Sequence, residues 1–206
     1  MASPIPILCR YHAGTGFLLT DAKDVWLLTC VHLFSGLKET PLIETFFTGA
    51  EIRIAQTSSV IPLFLNGQQR FSVVINETTG NLVDAIAIKL EPHEIAGLIG
   101  FGMFEAGSIK TTEVGETVTA SGFPGLGQKI GSGISTFEPT VVQYRVDEIH
   151  GLSIRLSTPG AEGLSGGPVF DELGLVGIMH GDVGDSTAMT NALVISLDVV
   201  GEQLFR

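Results

Sequence analysis

The stretch that decides the fold reads Pro159-Gly160-Ala161-Glu162-Gly163-Leu164-Ser165-Gly166-Gly167-Pro168-Val169-Phe170. One serine lies among glycines, and a proline followed by an apolar segment ends the run. Glycines permit left-handed turns and close approach of a ligand to the backbone. Such a loop can expose Ser165 Oγ and direct the N–H groups of Gly163 and Ser165 toward one point, as acyl transfer requires. The same residues also fit a plain turn between two strands.

Composition predicts a folded domain rich in β-structure. Hydrophobic residues make up 44% and charged residues 16% of the 206 residues, which favours a sizeable core over a disordered chain. The 26 glycines and the scarcity of long amphipathic patterns indicate many turns. The net charge of −11 repels phosphate backbones and anionic lipid, so we expect neither nucleic acid nor a membrane surface as a partner.

The two cysteines, Cys9 and Cys30, allow at most one internal disulfide. So few cysteines suit a reducing compartment, and we expect a cytoplasmic protein. The chain contains no Cys-x-x-Cys and no His-Glu-x-x-His motif, so we expect no metal and no cofactor. Residues 1–6 lack the basic start and apolar run of a secretory signal, and no apolar run is long enough to predict a membrane span.

Short strand-like segments follow one another along the chain, separated by turn residues such as Asn66-Gly67. We predict strands over 5–11, 17–20, 25–30, 45–47, 51–55, 60–65, 71–75, 85–90, 116–121, 129–136, 141–146, 152–157, 169–171, 175–181 and 188–195. Residues 12–16 are predicted as a turn, 98–113 as a crossing between two halves, and 92–98 and 196–205 as helices. Strands without long intervening helices favour antiparallel barrels or sandwiches.

Two further residues complete a constellation with Ser165. His32 follows a buried strand, and Asp84 precedes the apolar strand that begins at Ala85. Taken singly, they are compatible with a core histidine and a strand-capping aspartate. Together, His32, Asp84 and Ser165 follow the chain order of base, acid and nucleophile in chymotrypsin-like enzymes.

With this constellation the sequence resembles the trypsin-like serine proteases, and among them the compact bacterial members of the high-temperature-requirement type that lack disulfides. The matching segments span nearly the whole chain. They are Gly14-Thr15-Gly16-Phe17, Thr29-Cys30-Val31-His32, Asp84-Ala85-Ile86-Ala87-Ile88-Lys89-Leu90, Gly122-Phe123-Pro124-Gly125, Gly163-Leu164-Ser165-Gly166-Gly167-Pro168, Leu175-Val176-Gly177-Ile178 and the C-terminal helix.

The resemblance implies an all-β fold of two antiparallel six-stranded β-barrels packed together with a C-terminal α-helix. Residues 1–206 would form one protease domain, with a first barrel over 5–97, a second over 114–195 and the helix over 196–206. Ser165 would be the nucleophile, His32 the proton carrier and Asp84 the group that orients His32, while the N–H groups of Gly163 and Ser165 would form the oxyanion hole.

One departure concerns activation. Digestive relatives carry an acidic residue before the serine that pairs with a freshly cut N-terminus, and Leu164 occupies that position here. We therefore expect no activation of that kind, and control by a regulatory protein partner is a hypothesis.

The resemblance also places a pocket that reads the side chain before the scissile bond. Its base would be Pro159 with Gly160, and its walls His180, Gly181, Asp182 and the segment 189–192. An uncharged base makes a buried cation costly, so we predict small or medium uncharged side chains, with basic ones as the alternative because Asp182 and Asp185 lie near the rim. Relatives that select glutamate or glutamine carry a histidine in this pocket, and His180 comes one position later in the sequence than that histidine. A shift of one residue along a strand would turn the His180 side chain to the opposite face.

The function predicted from these observations is that of a serine endopeptidase acting on protein or peptide substrates. One alternative is a catalytically silent binding or scaffold protein with the same fold. Another is an esterase or acyl transferase that uses the same three residues.

Overall fold

The computed structural model describes residues 2–10, 12–21, 23–37, 39–57, 59–160, 162–182 and 191–205. The first half contains strands β1 (Ile5–Cys9), β2 (His12–Thr20), β3 (Val25–Thr29), β4 (Thr40–Pro41), β5 (Glu51–Ile54), β6 (Val60–Pro62), β7 (Phe64–Leu65), β8 (Gln68–Gln69), β9 (Phe71–Ile75), β10 (Asn81–Lys89) and β11 (Phe104–Glu105). The second contains β12 (Thr117–Gly122), β13 (Thr140–His150), β14 (Ser153–Leu156), β15 (Pro168–Phe170), β16 (Leu175–Asp182) and β17 (Ala192–Ser196). The α-helices are α1 (His32–Ser35), α2 (Pro92–Leu98), α3 (Leu126–Gly131) and α4 (Leu197–Leu204).

The second half is a closed barrel in the order β12-β13-β14-β17-β16-β15. Each pair of neighbouring strands within it is antiparallel, as predicted. Its interior is filled by buried apolar side chains that the strands direct inward, among them Val118, Tyr144, Ile154, Val169 and Val194. The prediction of a six-stranded barrel is therefore confirmed for this half.

The first half differs from the predicted closed barrel. Its described strands form a nine-stranded sheet with the path β4-β10-β3-β2-β1-β5-β6, onto which β9 pairs at β10 and β11 pairs at β2. The free ends, β6 and β9, are linked by the hairpin β7–β8 and by hydrogen bonds from Arg70, whose backbone N–H donates to the Leu63 carbonyl and whose Nη1 donates to the Pro62 carbonyl. Pro62 within β6 has no N–H for a further ladder bond, which favours an interrupted edge.

Helix α4 joins the two halves. It packs on β9 of the first sheet and on β16 of the barrel, and the ring of Phe205 lies 6.0 Å from that of Trp26. Leu197, Val200 and Leu204 belong to the main apolar core. Both predicted helices are confirmed, since α2 covers Pro92–Leu98 and α4 covers all but the ends of 196–205. In the described part of the chain, no helix is long and apolar enough to cross a membrane.

Three local predictions were wrong. The predicted strand over 129–136 is instead helix α3 and the residues after it, because Gly125 adopts a left-handed φ of 68° and Leu126 packs with Phe123 and Phe137. The predicted strand over 45–47 is largely a 3-10 turn at Glu44–Phe46. The predicted turn over 12–16 lies inside β2. The crossing over 98–113 is confirmed as irregular, apart from two 3-10 turns and the short β11.

Gly14 and Gly16, which were predicted to lie in a turn, lie in strand β2 and allow neighbouring atoms to pack closely against it. A Cβ at Gly14 would lie 3.1 Å from the Ser165 carbonyl oxygen and closer still to the Leu33 side chain. The chain therefore needs a residue without a side chain where β2 passes the serine loop.

Candidate active site

His32 and Asp84 are brought together by the register of two paired strands. β10 and β3 run antiparallel with Ile86 opposite Thr29, so Asp84 lies beside the chain that leaves β3. Asp84 Oδ1 accepts the His32 backbone N–H at 2.7 Å, and Oδ2 accepts His32 Nδ1 at 2.7 Å. Two bonds to the two carboxylate oxygens fix both the position and the ring orientation of His32.

The carboxyl group of Asp84 is ionised and can only accept hydrogen bonds. Its side chain is 8% exposed. Burial by itself would raise the Asp84 pKa, but the hydrogen bonds from His180 and His32 outweigh it and hold the pKa well below its ordinary value. Nδ1 of His32 therefore carries a proton, and in the neutral ring Nε2 offers a free lone pair. That lone pair is what a general base needs.

Ser165 is half-buried in the loop between β14 and β15, and glycines shape this loop. Gly163 and Gly166 have φ of 94° and 83°, conformations that a residue with a side chain rarely adopts. A Cβ at Gly163 would lie 2.3 Å from the Phe123 carbonyl oxygen, and one at Gly166 would lie 2.1 Å from the Thr15 carbonyl oxygen. The glycine spacing noted in the sequence is therefore a steric requirement.

The first half of the molecule holds the serine loop through Thr15, which is fully buried. Its hydroxyl donates to the Gly163 carbonyl at 2.7 Å and accepts the Phe123 N–H at 3.2 Å. Its backbone N–H donates to the Ser165 carbonyl at 2.9 Å. The Thr29 hydroxyl in turn donates to the Thr15 carbonyl at 2.7 Å. These bonds fix the backbone on both sides of Leu164.

The backbone N–H groups of Gly163 and Ser165 are those predicted to form an oxyanion hole. Within the part of the chain that the structure describes, neither the N–H of Gly163 nor that of Ser165 donates to a protein acceptor. The next two N–H groups are occupied, since Gly166 donates to the Met179 carbonyl at 2.7 Å and Gly167 to the Leu164 carbonyl at 2.8 Å. Two free donors on either side of Leu164 are suited to stabilise a developing oxyanion.

The Ser165 hydroxyl donates to the carbonyl oxygen of His180 at 3.3 Å. No hydrogen bond joins Ser165 Oγ to His32 Nε2 among the described residues. Both side chains nevertheless line one cavity of about 290 Å³, formed by His12, His32, Gly36, Leu37, Ser165, His180 and Gly181. A larger groove of about 590 Å³ along β1, β2 and β5 shares His12 with this cavity. The structure thus places the histidine and the serine at one accessible site.

Of the residues predicted to form the specificity pocket, His180 and Gly181 line this cavity, whereas Pro159 and Gly160 do not. Gly181 has a φ of 105°, and a Cβ there would lie 2.9 Å from Ser165 Oγ. Asp182 ends β16. Its side chain, together with Asp185 and residues 189–190 of the predicted wall over 189–192, lies outside the described residues, so the specificity remains a prediction.

The imidazole of His180 lies on Asp84. Its Nδ1 forms a short hydrogen bond to Asp84 Oδ2, the same oxygen that accepts His32 Nδ1. The two rings are nearly perpendicular, with centroids 5.7 Å apart. The sequence predicts that His180 lies on the face of its strand opposite to the specificity pocket, but it does not predict the contact with Asp84.

Four side chains near the site carry atoms that metals bind. The donor atoms of Cys30, His32, Asp84 and His180 all lie within 4.8 Å of one another. Each already has a hydrogen-bonding partner, since Cys30 Sγ donates to the Met179 carbonyl at 3.2 Å and both histidines bind Asp84. Burial, with the negative charge of Asp84, raises the pKa of Cys30 well above its ordinary value and keeps the thiol protonated. The donor set is therefore arranged as a hydrogen-bonded network.

The closed six-stranded barrel and the cavity lined by His32 and Ser165 can be compared with known families. The model of the trypsin-like peptidase domain family matches residues 14–178. The chain therefore belongs to the trypsin-like peptidase domain family. No curated protein matches it by sequence.

Solved structures of proteases share the fold at low sequence identity. The MamO protease domain from Magnetospirillum magneticum, in its apo form, is similar with a TM-score of 0.58 and 16% identity over 100% of this chain and 98% of the other. The active form of the Rv3671c protease from M. tuberculosis has a TM-score of 0.52 and 18% identity over 98% and 78%. The HtrA-type protease AlgW with a decapeptide has a TM-score of 0.50 and 16% identity over 92% and 49%.

Proposed function

We propose that this protein is a serine endopeptidase that hydrolyses peptide bonds through an acyl-enzyme. The observation that carries the proposal is the pair of hydrogen bonds from His32 to Asp84, which fixes the His32 ring beside the cavity that His32 and Ser165 both line. Membership in a peptidase family adds support, and protein or peptide is the proposed substrate class.

In the first half-reaction, Ser165 Oγ attacks the carbonyl carbon of the scissile peptide, and its proton passes to His32 Nε2. The Asp84 carboxylate stabilises the resulting imidazolium, and the N–H groups of Gly163 and Ser165 stabilise the oxyanion. His32 then gives the proton to the leaving amine as the C–N bond breaks. The acyl group remains bound to Ser165 Oγ.

In the second half-reaction, a water molecule loses a proton to His32 Nε2 and attacks the acyl carbon. The proton then returns to Ser165 Oγ as the ester bond breaks, which releases a carboxylic acid and restores the resting site. For the first half-reaction the Ser165 hydroxyl has to turn from the His180 carbonyl toward His32. Catalytic hydrogen bonds are often long or misaligned without substrate, so this rotation is compatible with an active enzyme.

The test compares the protein with its Ser165→Ala variant. We expect a fluorophosphonate probe to label wild-type protein at Ser165, and turnover of peptides to fall on the order of 10⁶-fold in Ser165→Ala while the fold is retained. Equal peptide turnover in the two proteins would mean that another group is the nucleophile. Cleavage of esters without cleavage of peptides would assign the site to an esterase or acyl transferase.

A second candidate is a catalytically silent binding protein with this fold. It is favoured by the hydroxyl of Ser165, whose partner in the structure is the His180 carbonyl and not His32. Absence of probe labelling in folded wild-type protein would select this candidate.

We further propose a preference for small or medium uncharged side chains before the scissile bond, with basic ones as the alternative. Profiling of cleavage sites in a denatured proteome tests the specificity: enrichment of Arg and Lys that is lost in Asp182→Asn would overturn the first choice.

Leu164 is fully buried in the barrel core. A leucine side chain has no charge that could pair with a new N-terminus, so we propose no activation of that kind.

A further inference from the structure

We propose that His180 is a positioning residue for the proposed triad, with its imidazole fixing Asp84 and its carbonyl holding the resting Ser165 hydroxyl. This inference rests on the proposed function. One residue of the second barrel thus contacts both the acid and the nucleophile, although Asp84 lies 96 positions away along the chain.

The backbone explains how a strand residue reaches Asp84. β16 and β17 pair regularly up to Met179 opposite Val194, and the register then shifts so that Gly181 lies opposite Leu193. His180 therefore lies in a β-bulge, a device that re-aims a side chain and is frequent beside active sites. Gly181, with its left-handed φ, completes the bulge and leaves room over Ser165 Oγ.

The hydrogen bonds fix the tautomers of both histidines. Asp84 Oδ2 accepts from His32 Nδ1 and from His180 Nδ1, so each neutral ring carries its proton on Nδ1. The two nearly perpendicular donors hold Oδ2 from two directions, while Oδ1 is held by the His32 backbone N–H. Asp84 is left with little freedom to rotate away from His32. Misplacement of a catalytic group by about 1 Å can cost on the order of 10²-fold in rate, which gives this restraint a function.

The second donor also stabilises the charge of Asp84. The hydrogen bond from His180 is one of those that hold the Asp84 pKa below its ordinary value. The titratable groups around the His180 ring are Asp84 from β10, His32 from α1 and Cys30 after β3. Glu39 lines the cavity of about 170 Å³ on which Asp84 and His180 also border, and His12 lines the cavity of Ser165.

The main test uses His180→Ala and His180→Asn in the full-length chain. Alanine removes the imidazole but keeps the carbonyl that holds Ser165, so we expect kcat to fall roughly 10- to 10²-fold with KM little changed. Asparagine places an N–H donor at the same distance along the side chain as Nδ1 and should restore most of kcat. His93→Ala, at an exposed histidine of α2, is the matched control and should behave as wild type. The proposal would be overturned if His180→Ala kept the kcat of wild type. It would also be overturned if the loss in His180→Ala appeared in KM and His180→Asn did not restore it.

A double-variant cycle separates positioning from general damage. In an Asp84→Asn background, His180→Ala should cause no additional loss of kcat, because His180 acts through Asp84; additive losses would contradict this.

A further readout does not depend on activity. In Ser165→Ala protein, ¹H NMR should show two low-field Nδ1–H resonances, and His180→Ala should remove one and shift the other. A His32 resonance unchanged by His180→Ala would refute the proposal. If wild-type protein shows the coupled resonances but no turnover, the positioning of Asp84 stands and the proposed function fails.

Discussion

Replacing Thr15 by valine should loosen the serine loop without removing any residue of the proposed triad. Valine has nearly the shape of threonine but lacks the hydroxyl, which donates to the Gly163 carbonyl at 2.7 Å and accepts the Phe123 N–H at 3.2 Å. Thr15 is fully buried, so water cannot replace either bond. Leaving a buried donor or acceptor unpaired costs about 1–3 kcal/mol each, and two such groups give a loss of roughly 2–6 kcal/mol in the free energy of unfolding.

The same change should impair catalysis, because Gly163 carries one of the two proposed oxyanion donors. Loss of one such donor costs about 10²–10³ in kcat, and a displaced donor should cost part of that, so we expect a fall of roughly 10- to 10²-fold. A domain of this size has about 5–15 kcal/mol of stability, which exceeds this loss over most of that range, so the variant should remain folded at 25 °C.

Urea unfolding and peptide kinetics measure the two effects. Thr15→Ser is the matched control, because it keeps the hydroxyl and loses only a methyl group. We expect it to retain most of kcat. If Thr15→Val unfolds at the same urea concentration as wild type and turns over peptide at the same rate, Thr15 does not support the serine loop as inferred here.

Three other perturbations follow from buried charges and thiols. Folding lowers the pKa of Asp84, so ionised Asp84 stabilises the protein above the unfolded pKa of about 3.9, and this contribution is lost as pH falls through the folded value. The difference in unfolding free energy between wild type and Asp84→Asn should therefore shrink when urea unfolding is measured below pH 4. Glu94→Ala should lower the free energy of unfolding by roughly 3–5 kcal/mol, as measured with urea. The side chains of Arg70 and Glu94 are only 7% and 4% exposed, so the Arg70 charge would stay buried without its carboxylate partner. A loss under about 1 kcal/mol would show that water reaches Arg70. Cys9 and Cys30 are free and buried, and burial raises both pKa values; intact mass should show two alkylations under denaturing, non-reducing conditions and none in native buffer.

The elements that the sequence predicted well are those determined by local chemistry. Asn66 and Gly67 have φ of 53° and 77°, the left-handed pair that a two-residue hairpin turn requires. Helix α2 begins where Glu91 and Glu94 form a reciprocal capping box ahead of Pro92. The strands of the second barrel were located by apolar runs between turn residues. Each of these signals lies within a few residues of the feature it determines.

The features that the sequence did not predict depend on contacts between distant segments. Whether the first sheet closes into a barrel depends on how its edge strands β6 and β9 meet, and no local sequence pattern indicates this. The strand predicted over 129–136 overlaps helix α3, which begins at Leu126, where that side chain packs with Phe123 and Phe137. The contact of His180 with Asp84 depends on a one-residue bulge, and a bulge changes the face of a side chain without leaving a clear sequence signal.

The proposed catalytic groups are divided between the two halves, and reciprocal contacts hold the halves in place. His32 and Asp84 both belong to the first half, where strand register and two hydrogen bonds set their geometry. Ser165 belongs to the second barrel. Thr15 of the first half fixes the serine loop, and His180 of the second barrel fixes Asp84. A small shift of one half against the other therefore changes the distance from Ser165 Oγ to His32 Nε2 before it disturbs the His32–Asp84 pair.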